Sequence, residues 1–225
     1  DDLERKISPT TKGLMLVHWG GYPVDLNRID ELKKKTKELF GFELAVVEDC
    51  AHAFGSTFEG KPLGNHGNYA TYSFQAIKHM TSVDGGCLVC PTSGYKFHMN
   101  DVMAAVGRAN LREVDKVIEA HRANALFYDN ELSSVPGLTL PQREGNRQSS
   151  FWIYSMLVDD KKGFMKHMAE CGITVSQVHE RNDKHSCVKE FVTHLPSLEK
   201  ITPKLISIPV GWWVTKEDRE YIVKC

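Results

Sequence analysis

Apolar positions fall into short runs separated by glycine and proline. Leu14-Met15-Leu16-Val17-His18-Trp19 reads as a buried strand, ended by Gly20, Gly21 and Pro23. Ile29, Leu32, Leu39 and Phe40 then recur at helical spacing. Asp25 or Asn27 is placed to cap that helix, and Gly41 stands where a C-cap belongs. Leu44-Ala45-Val46-Val47-Glu48 is a second buried strand. Strand–helix–strand order predicts two parallel strands joined by a right-handed crossover. Further apolar runs at 69–74 and 87–90 predict two more strands, with turns at Gly60, Gly64, Gly67 and Gly85-Gly86.

From Asn100 to about Leu132 the pattern predicts one long helix, capped by Asn100 or Asp101. Val102, Ala105, Val106, Ala109, Val114, Val117 and Ile118 form its apolar stripe, a core-packing feature. Pro136, Gly137 and Pro141 break the chain, and 142–150 is polar and loop-like. A strand at 151–158, a helix at 161–171, a strand at 173–179, a short helix near 187–193 and a helix from Thr215 follow. The alternation predicts an α/β fold in which residues 1–115 belong to a large domain. Residues 116–225 are then a connecting helix and a smaller C-terminal α/β domain, in which Trp212-Trp213 is expected as an anchor.

Charge narrows the function classes. The chain of 225 residues has 28 basic and 29 acidic side chains, net charge −1, so no whole-protein field recruits nucleic acid or an anionic membrane. No run of about 18 apolar residues predicts a membrane span. The six cysteines, at 50, 87, 90, 171, 187 and 225, fit reduced thiols and a cytoplasmic location. Cys87 and Cys90 have CxxC spacing but lie in a predicted strand with no second ligand pair, so no metal site is expected.

Two residues carry candidate chemistry. Asp49 stands at the C-terminal end of a predicted parallel strand, the edge where open α/β sheets bind ligands. Lys78 lies 29 residues on, just after the apolar strand candidate Tyr69–Phe74. Alone, Asp49 suits a turn cap and Lys78 a solvated surface. Together they match the pairing used with pyridoxal phosphate: an amine that binds the cofactor aldehyde, and a carboxylate that keeps the pyridine nitrogen protonated.

Three ordered motifs then point to a family. Val47-Glu48-Asp49-Cys50-Ala51-His52-Ala53-Phe54-Gly55 resembles the EDxAHAxG signature of the DegT/DnrJ/EryC1/StrS sugar aminotransferases. Ser73-Phe74-Gln75-Ala76-Ile77-Lys78-His79, with Asp84-Gly85-Gly86, resembles their lysine-bearing segment. Gly94-Tyr95-Lys96-Phe97-His98-Met99-Asn100-Asp101, with Ala104-Ala105-Val106-Gly107, resembles their GYxxxxxDxxAAxG segment. Arg122-Ala123-Asn124-Ala125 and Ile208-Pro209-Val210 match later family positions.

The resemblance implies a fold-type I pyridoxal 5'-phosphate transferase, with a mostly parallel mixed sheet in the large domain. Lys78 would take the place of the cofactor-binding lysine and proton shuttle, and Asp49 that of the pyridinium partner. His52 would approach the phenolic oxygen, Ala51 would line the cofactor site and Ser73 would bond the phosphate. Lys96 or His98 would reach the phosphate held by a neighbouring subunit, making a homodimer with shared sites. His179, Arg181 and His185, in a polar cluster after a predicted strand, would contact the sugar or nucleotide. The implied substrates are a nucleotide-linked keto sugar and glutamate as amino donor. Sugar dehydratases of the same fold carry His where Lys78 stands. A cofactor-free binding or structural protein derived from the fold is the remaining alternative. The phosphate-cupping Gly-Thr or Gly-Ser turn and the ring-stacking residue are expected before Asp1, as part of a missing N-terminal third. A loop is likewise expected between Pro91 and Gly94.

Overall fold

The computed structural model describes residues 2–90 and 99–225. The chain begins with α1 (Asp2–Lys6), β1 (Gly13–Val17), α2 (Leu26–Phe40) and β2 (Ala45–Asp49). It continues through β3 (Thr57–Phe58), β4 (Lys61–Pro62), β5 (Tyr69–Ser73), β6 (Gly86–Val89), α3 (Asp101–Leu111) and α4 (Val114–Leu132). After these come β7 (Leu138–Thr139), β8 (Arg147–Gln148), β9 (Tyr154–Val158), α5 (Lys161–Glu170), α6 (Pro196–Ile201), β10 (Leu205–Ile208) and α7 (Lys216–Lys224). Two compact units result. One comprises Asp1–Glu119 with Glu144–Trp152, the other Ala120–Arg143 with Ile153–Cys225. No helix among the described residues is long and apolar enough to cross a membrane.

The first unit holds a mixed sheet of order β1-β2-β5-β6. β1, β2 and β5 are parallel, and β6 returns antiparallel along β5. Asp25, one of the two predicted caps, accepts from Arg28 N at 3.2 Å to start α2, and Gly41 ends it in the left-handed region. Leu26 and Ile29 of α2 pack with Leu16, Val46 and Ala70 on one face of the sheet. On the other face Met15 is 67% exposed and Val17 47%, so burial alternates along strands predicted to be buried on both sides.

A polar network crosses that buried face. His18 Nδ1 accepts from Val24 N at 3.0 Å, which leaves Nε2–H to donate to Glu48 Oε2 at 2.9 Å. Asn68 Nδ2 donates to Glu48 Oε1 at 2.8 Å, so both carboxylate oxygens are bonded. Burial pushes the Glu48 carboxyl upward, but the His18 and Asn68 bonds outweigh it and hold the group below its ordinary range.

The second unit contains a small antiparallel sheet, β10-β9-β7. Tyr154, Met156 and Val158 of β9 alternate inward, with Ile206 and Ile208 of β10, Met168 of α5 and Ile222 of α7 also buried. A single side chain ties helix to loop here. Asn124 Nδ2 on α4 lies within 3.3, 3.1 and 3.2 Å of the carbonyls of Val210, Gly211 and Val214. Tyr154 OH and Arg143 both donate to Asp129, at 2.8 Å each.

Several expectations from the residue pattern need correction. The long helix is two, α3 and α4, and Asn100 caps the first by accepting from Met103 N at 2.9 Å. Only the second half of its stripe is core: Val114 and Ile118 are buried, but Val102 is 75% exposed. The first half packs through Gly107 instead, where an added Cβ would lie 3.2 Å from Ser82 Cβ. The polar stretch before residue 150 contains β8, which pairs with β3. The predicted strand at 151–158 begins only at Tyr154, because Phe151 is left-handed at φ 52°. Residues 173–179 make one isolated bridge, Ser176 to Ser207, rather than a strand, and Val178 is left-handed at φ 64°. Strand β10 and helix α6 were not expected. Trp212 and Trp213 are 60% and 63% exposed, not buried anchors.

Glu48→Gln should destabilise the protein by about 1–3 kcal/mol, because one amide oxygen cannot accept from both buried donors. Urea unfolding at neutral pH measures it. The depressed carboxyl contributes stability above its ordinary pKa, and this is lost as pH falls through the folded value. The variant should therefore lose less stability than the parent on acidification below about pH 4.5.

Candidate active site

Adjacent parallel strands bring the candidates to one edge. Asp49 is the last residue of β2 and pairs in register with Thr71, two residues before the end of β5 at Ser73. The chain after Asp49 turns at once. Ala51 N donates to Asp49 Oδ1 at 2.9 Å, which orients the carboxylate, and Ala53 N donates to Cys50 O at 2.9 Å. Gly55 makes the turn possible: its φ is +79°, and a Cβ there would lie 2.3 Å from Ile118 Cδ1.

The chain after Ser73 carries Lys78 in a loop folded back on its own strand. Lys78 N donates to Gln75 O at 3.0 Å, Ser82 N to Phe74 O at 2.9 Å and Thr81 Oγ1 to Phe74 O at 3.1 Å. Ser73 Oγ accepts from Gln75 N at 3.4 Å. Burial pushes the Lys78 amine below its ordinary pKa, and the negative charge of Asp49 opposes that shift. The two loops thus place an amine in the field of the carboxylate.

His52 and Trp152 complete the cluster. The rings stack with centroids 3.8 Å apart and planes 19° from parallel. Gly20 N donates to His52 Nδ1 at 3.4 Å. Lys78 Nζ lies 3.9 Å from the Trp152 ring centre, and Trp152 Nε1 donates to Ile77 O at 3.0 Å. The Trp152 segment is held by Ser56, whose Oγ donates to Gly21 O at 2.6 Å and accepts from Ser150 N at 3.0 Å.

Trp152 is the member that the residue pattern did not reveal. It follows the parity of Tyr154, Met156 and Val158, so period-two reading places it inside a strand. Its partner Ile77 is 75 residues earlier, and no local signal links the two.

Asp49, Ala51, His52, Ser73 and Lys78 all sit in the first unit at the ends of β2 and β5. His179, Arg181 and His185 sit in the second unit. There Arg181 Nε donates to Asp183 Oδ1 at 2.9 Å, while His179 and His185 are exposed. Lys96 and His98 lie outside the described residues. A carboxylate, an amine and a hydroxyl on neighbouring strand ends fit the ring nitrogen, aldehyde and phosphate of pyridoxal phosphate.

Two nearby groups are not part of that chemistry. Burial pushes the Cys50 thiol up to about 12, with help from the Glu48 charge, so it stays protonated at neutral pH. His18, Glu48 and Cys50 offer ligand-type atoms within 4.8 Å of one another. Both His18 nitrogens and both Glu48 oxygens are already hydrogen-bonded, which makes the trio a packing network.

The chain is similar to several known proteins. Its structure superposes on AtS13 from Actinomadura melliaura with a TM-score of 0.96 at 44% identity, covering 100% of this chain and 68% of that one. The sugar aminotransferase CalS13 from Micromonospora echinospora gives a TM-score of 0.95 at 39% identity, covering 100% and 69%. GDP-perosamine synthase from Escherichia coli O157:H7 is 29% identical over 197 residues, 75% of this chain and 52% of that protein. The match thus spans about half the length of that synthase. The family model of the DegT/DnrJ/EryC1/StrS aminotransferases matches residues 1–93 and 89–225, and the chain belongs to that family.

Proposed function

We propose that this chain is part of a pyridoxal 5'-phosphate-dependent aminotransferase that moves an amino group from glutamate to a nucleotide-linked keto sugar. One observation carries the reading. A half-buried lysine amine stands in the field of a carboxylate at the C-terminal ends of adjacent parallel strands. Membership of an aminotransferase family and likeness to a sugar aminotransferase at 39% identity support it. Lys78 also favours transamination over the dehydratase alternative, whose lysine position holds His.

Bound here, pyridoxal phosphate supplies an aldehyde for amine exchange and a protonated ring that draws electrons from an adjacent carbon. Asp49, oriented by the Ala51 N–H, would hold the proton on the ring nitrogen. Ser73 Oγ would donate to the phosphate, and Ala51 would line the cofactor site. Lys78 Nζ would hold the aldehyde and, once released, would move a proton from the donor's α-carbon to the former aldehyde carbon, as base and then acid. Its depressed pKa raises the share of neutral amine at physiological pH, the form that attacks the aldehyde and accepts the proton. In a homodimer, Lys96 or His98 would be the candidate for the phosphate of the second copy, as the family resemblance implies. His179, Arg181 and His185 contact the sugar nucleotide.

The direct test is a panel of nucleotide keto sugars with glutamate, read by mass spectrometry. Product gaining the mass of an amine for an oxygen supports the proposal; no conversion of any member by cofactor-loaded protein contradicts it. Lys78→Ala should lower turnover by about 10²–10⁴-fold or more while leaving the circular-dichroism spectrum unchanged. Asp49→Asn should weaken cofactor binding by about 1.5–3 kcal/mol, seen in a fluorescence titration. It should also lower the pKa of Lys78 further, because the charge that favours the ammonium is gone. An unchanged or raised Lys78 titration would remove the pairing.

A further inference from the structure

We propose that Trp152 is a positioning residue of this site, whose indole face holds the Lys78 amine at the sheet edge and steadies its ammonium form. The inference rests on Lys78 being the reactive amine of the proposed function. Three contacts carry it. Lys78 Nζ is 3.9 Å from the ring centre, well within the reach of cation–π attraction. The indole N–H donates to the carbonyl of Ile77 at 3.0 Å, so the ring is tied to the residue adjoining Lys78. The same indole stacks on His52 at 3.8 Å, which joins it to the turn after Asp49. One side chain therefore links both loops of the site.

The backbone around Trp152 is arranged to deliver it. Phe151 has φ 52°, a region aromatic residues rarely adopt, and persists there because its neighbours are fixed. Ser150 N is bonded to Ser56 Oγ at 3.0 Å, and Phe151 N to Ser149 Oγ at 3.0 Å. Gly21 leaves the necessary room: a Cβ on it would lie 2.8 Å from Ser150 Oγ. The left-handed step interrupts β9 before Tyr154, and Trp152 leaves the strand for the Lys78 loop.

The physical role follows from two opposed effects. Burial favours the neutral amine, whereas the negative ring face and the Asp49 carboxylate favour the ammonium. Asp49, at the end of β2, is the charge that acts on Lys78, and His52 is the titratable ring stacked on the indole. With Asp49 unchanged, removing the ring face isolates the contribution of Trp152.

The experiment uses cofactor-free protein and trace acetylation by acetic anhydride across a pH series. Peptide mass spectrometry reports Lys78, with exposed Lys34 as internal reference. Trp152→Leu should lower the Lys78 midpoint by about half a pH unit or more, leaving Lys34 unmoved. Trp152→Phe keeps a weaker ring face and should lower it by less; this variant alone decides the matter if the leucine variant does not fold. A Lys78 midpoint unchanged or raised in folded Trp152→Phe or Trp152→Leu overturns the proposal. Failure of the enzyme reading would appear separately, as absence of amine transfer by the parent protein, and would leave these midpoints interpretable.

Discussion

Parallel pairing of β2 with β5 is the constraint from which the rest of the site follows. With Asp49 opposite Thr71, the two strands end within two residues of each other, and both following loops leave from one edge. A hairpin could not do this, since antiparallel neighbours send successive loops to opposite ends. The parallel arrangement needs a crossover before each strand, and α2 supplies the one between β1 and β2 while covering the inner face through Leu26 and Ile29. The side chains that meet the proposed cofactor therefore hang on turns whose starting points are fixed by the sheet.

Glu48 and Asp49 show how strictly the register acts. They are neighbours with nearly the same chemistry and opposite fates. Glu48 points inward, fully buried, with both oxygens bonded by His18 and Asn68. Asp49 ends the strand on the other side of the pleat, where one oxygen is bonded by its own turn. A slip of one residue would bury the wrong carboxylate and aim the structural one at the ligand edge. The buried network thus fixes the register that the proposed role of Asp49 requires, which is a reason for a charged group to be kept in an otherwise apolar layer.

Much of this was legible from residue order. Short apolar runs and the Asp25 and Gly41 signals predicted strand–helix–strand units with Asp49 at a strand end, while the pairing of Asp49 with Lys78 came from motifs that resemble the family's. That part is governed by local pattern and by chain topology, both of which sequence carries. The rest was not legible, for identifiable reasons. Trp152 reaches its partners only because Phe151 takes a left-handed step, and nothing in Ser-Ser-Phe-Trp marks that step. Arg112 and Glu113 break the helix between α3 and α4 without proline or glycine, so periodicity ran through the break. The apolar stripe misled because the buried residue of α3 is Gly107, which has no side chain to count. The isolated bridge at Ser176 shows the converse case, an apolar run that tertiary pairing did not extend into a strand.

The account depends on one amine being chemically distinct from the many other lysines of the chain. Its most direct test is incubation of the purified protein with pyridoxal 5'-phosphate, reduction with borohydride and mapping of the modified peptide. The predicted result is one dominant phosphopyridoxyl label on the peptide containing Lys78, at cofactor equimolar with protein. A label spread over surface lysines, or centred on another lysine with Lys78 unmodified, would contradict it.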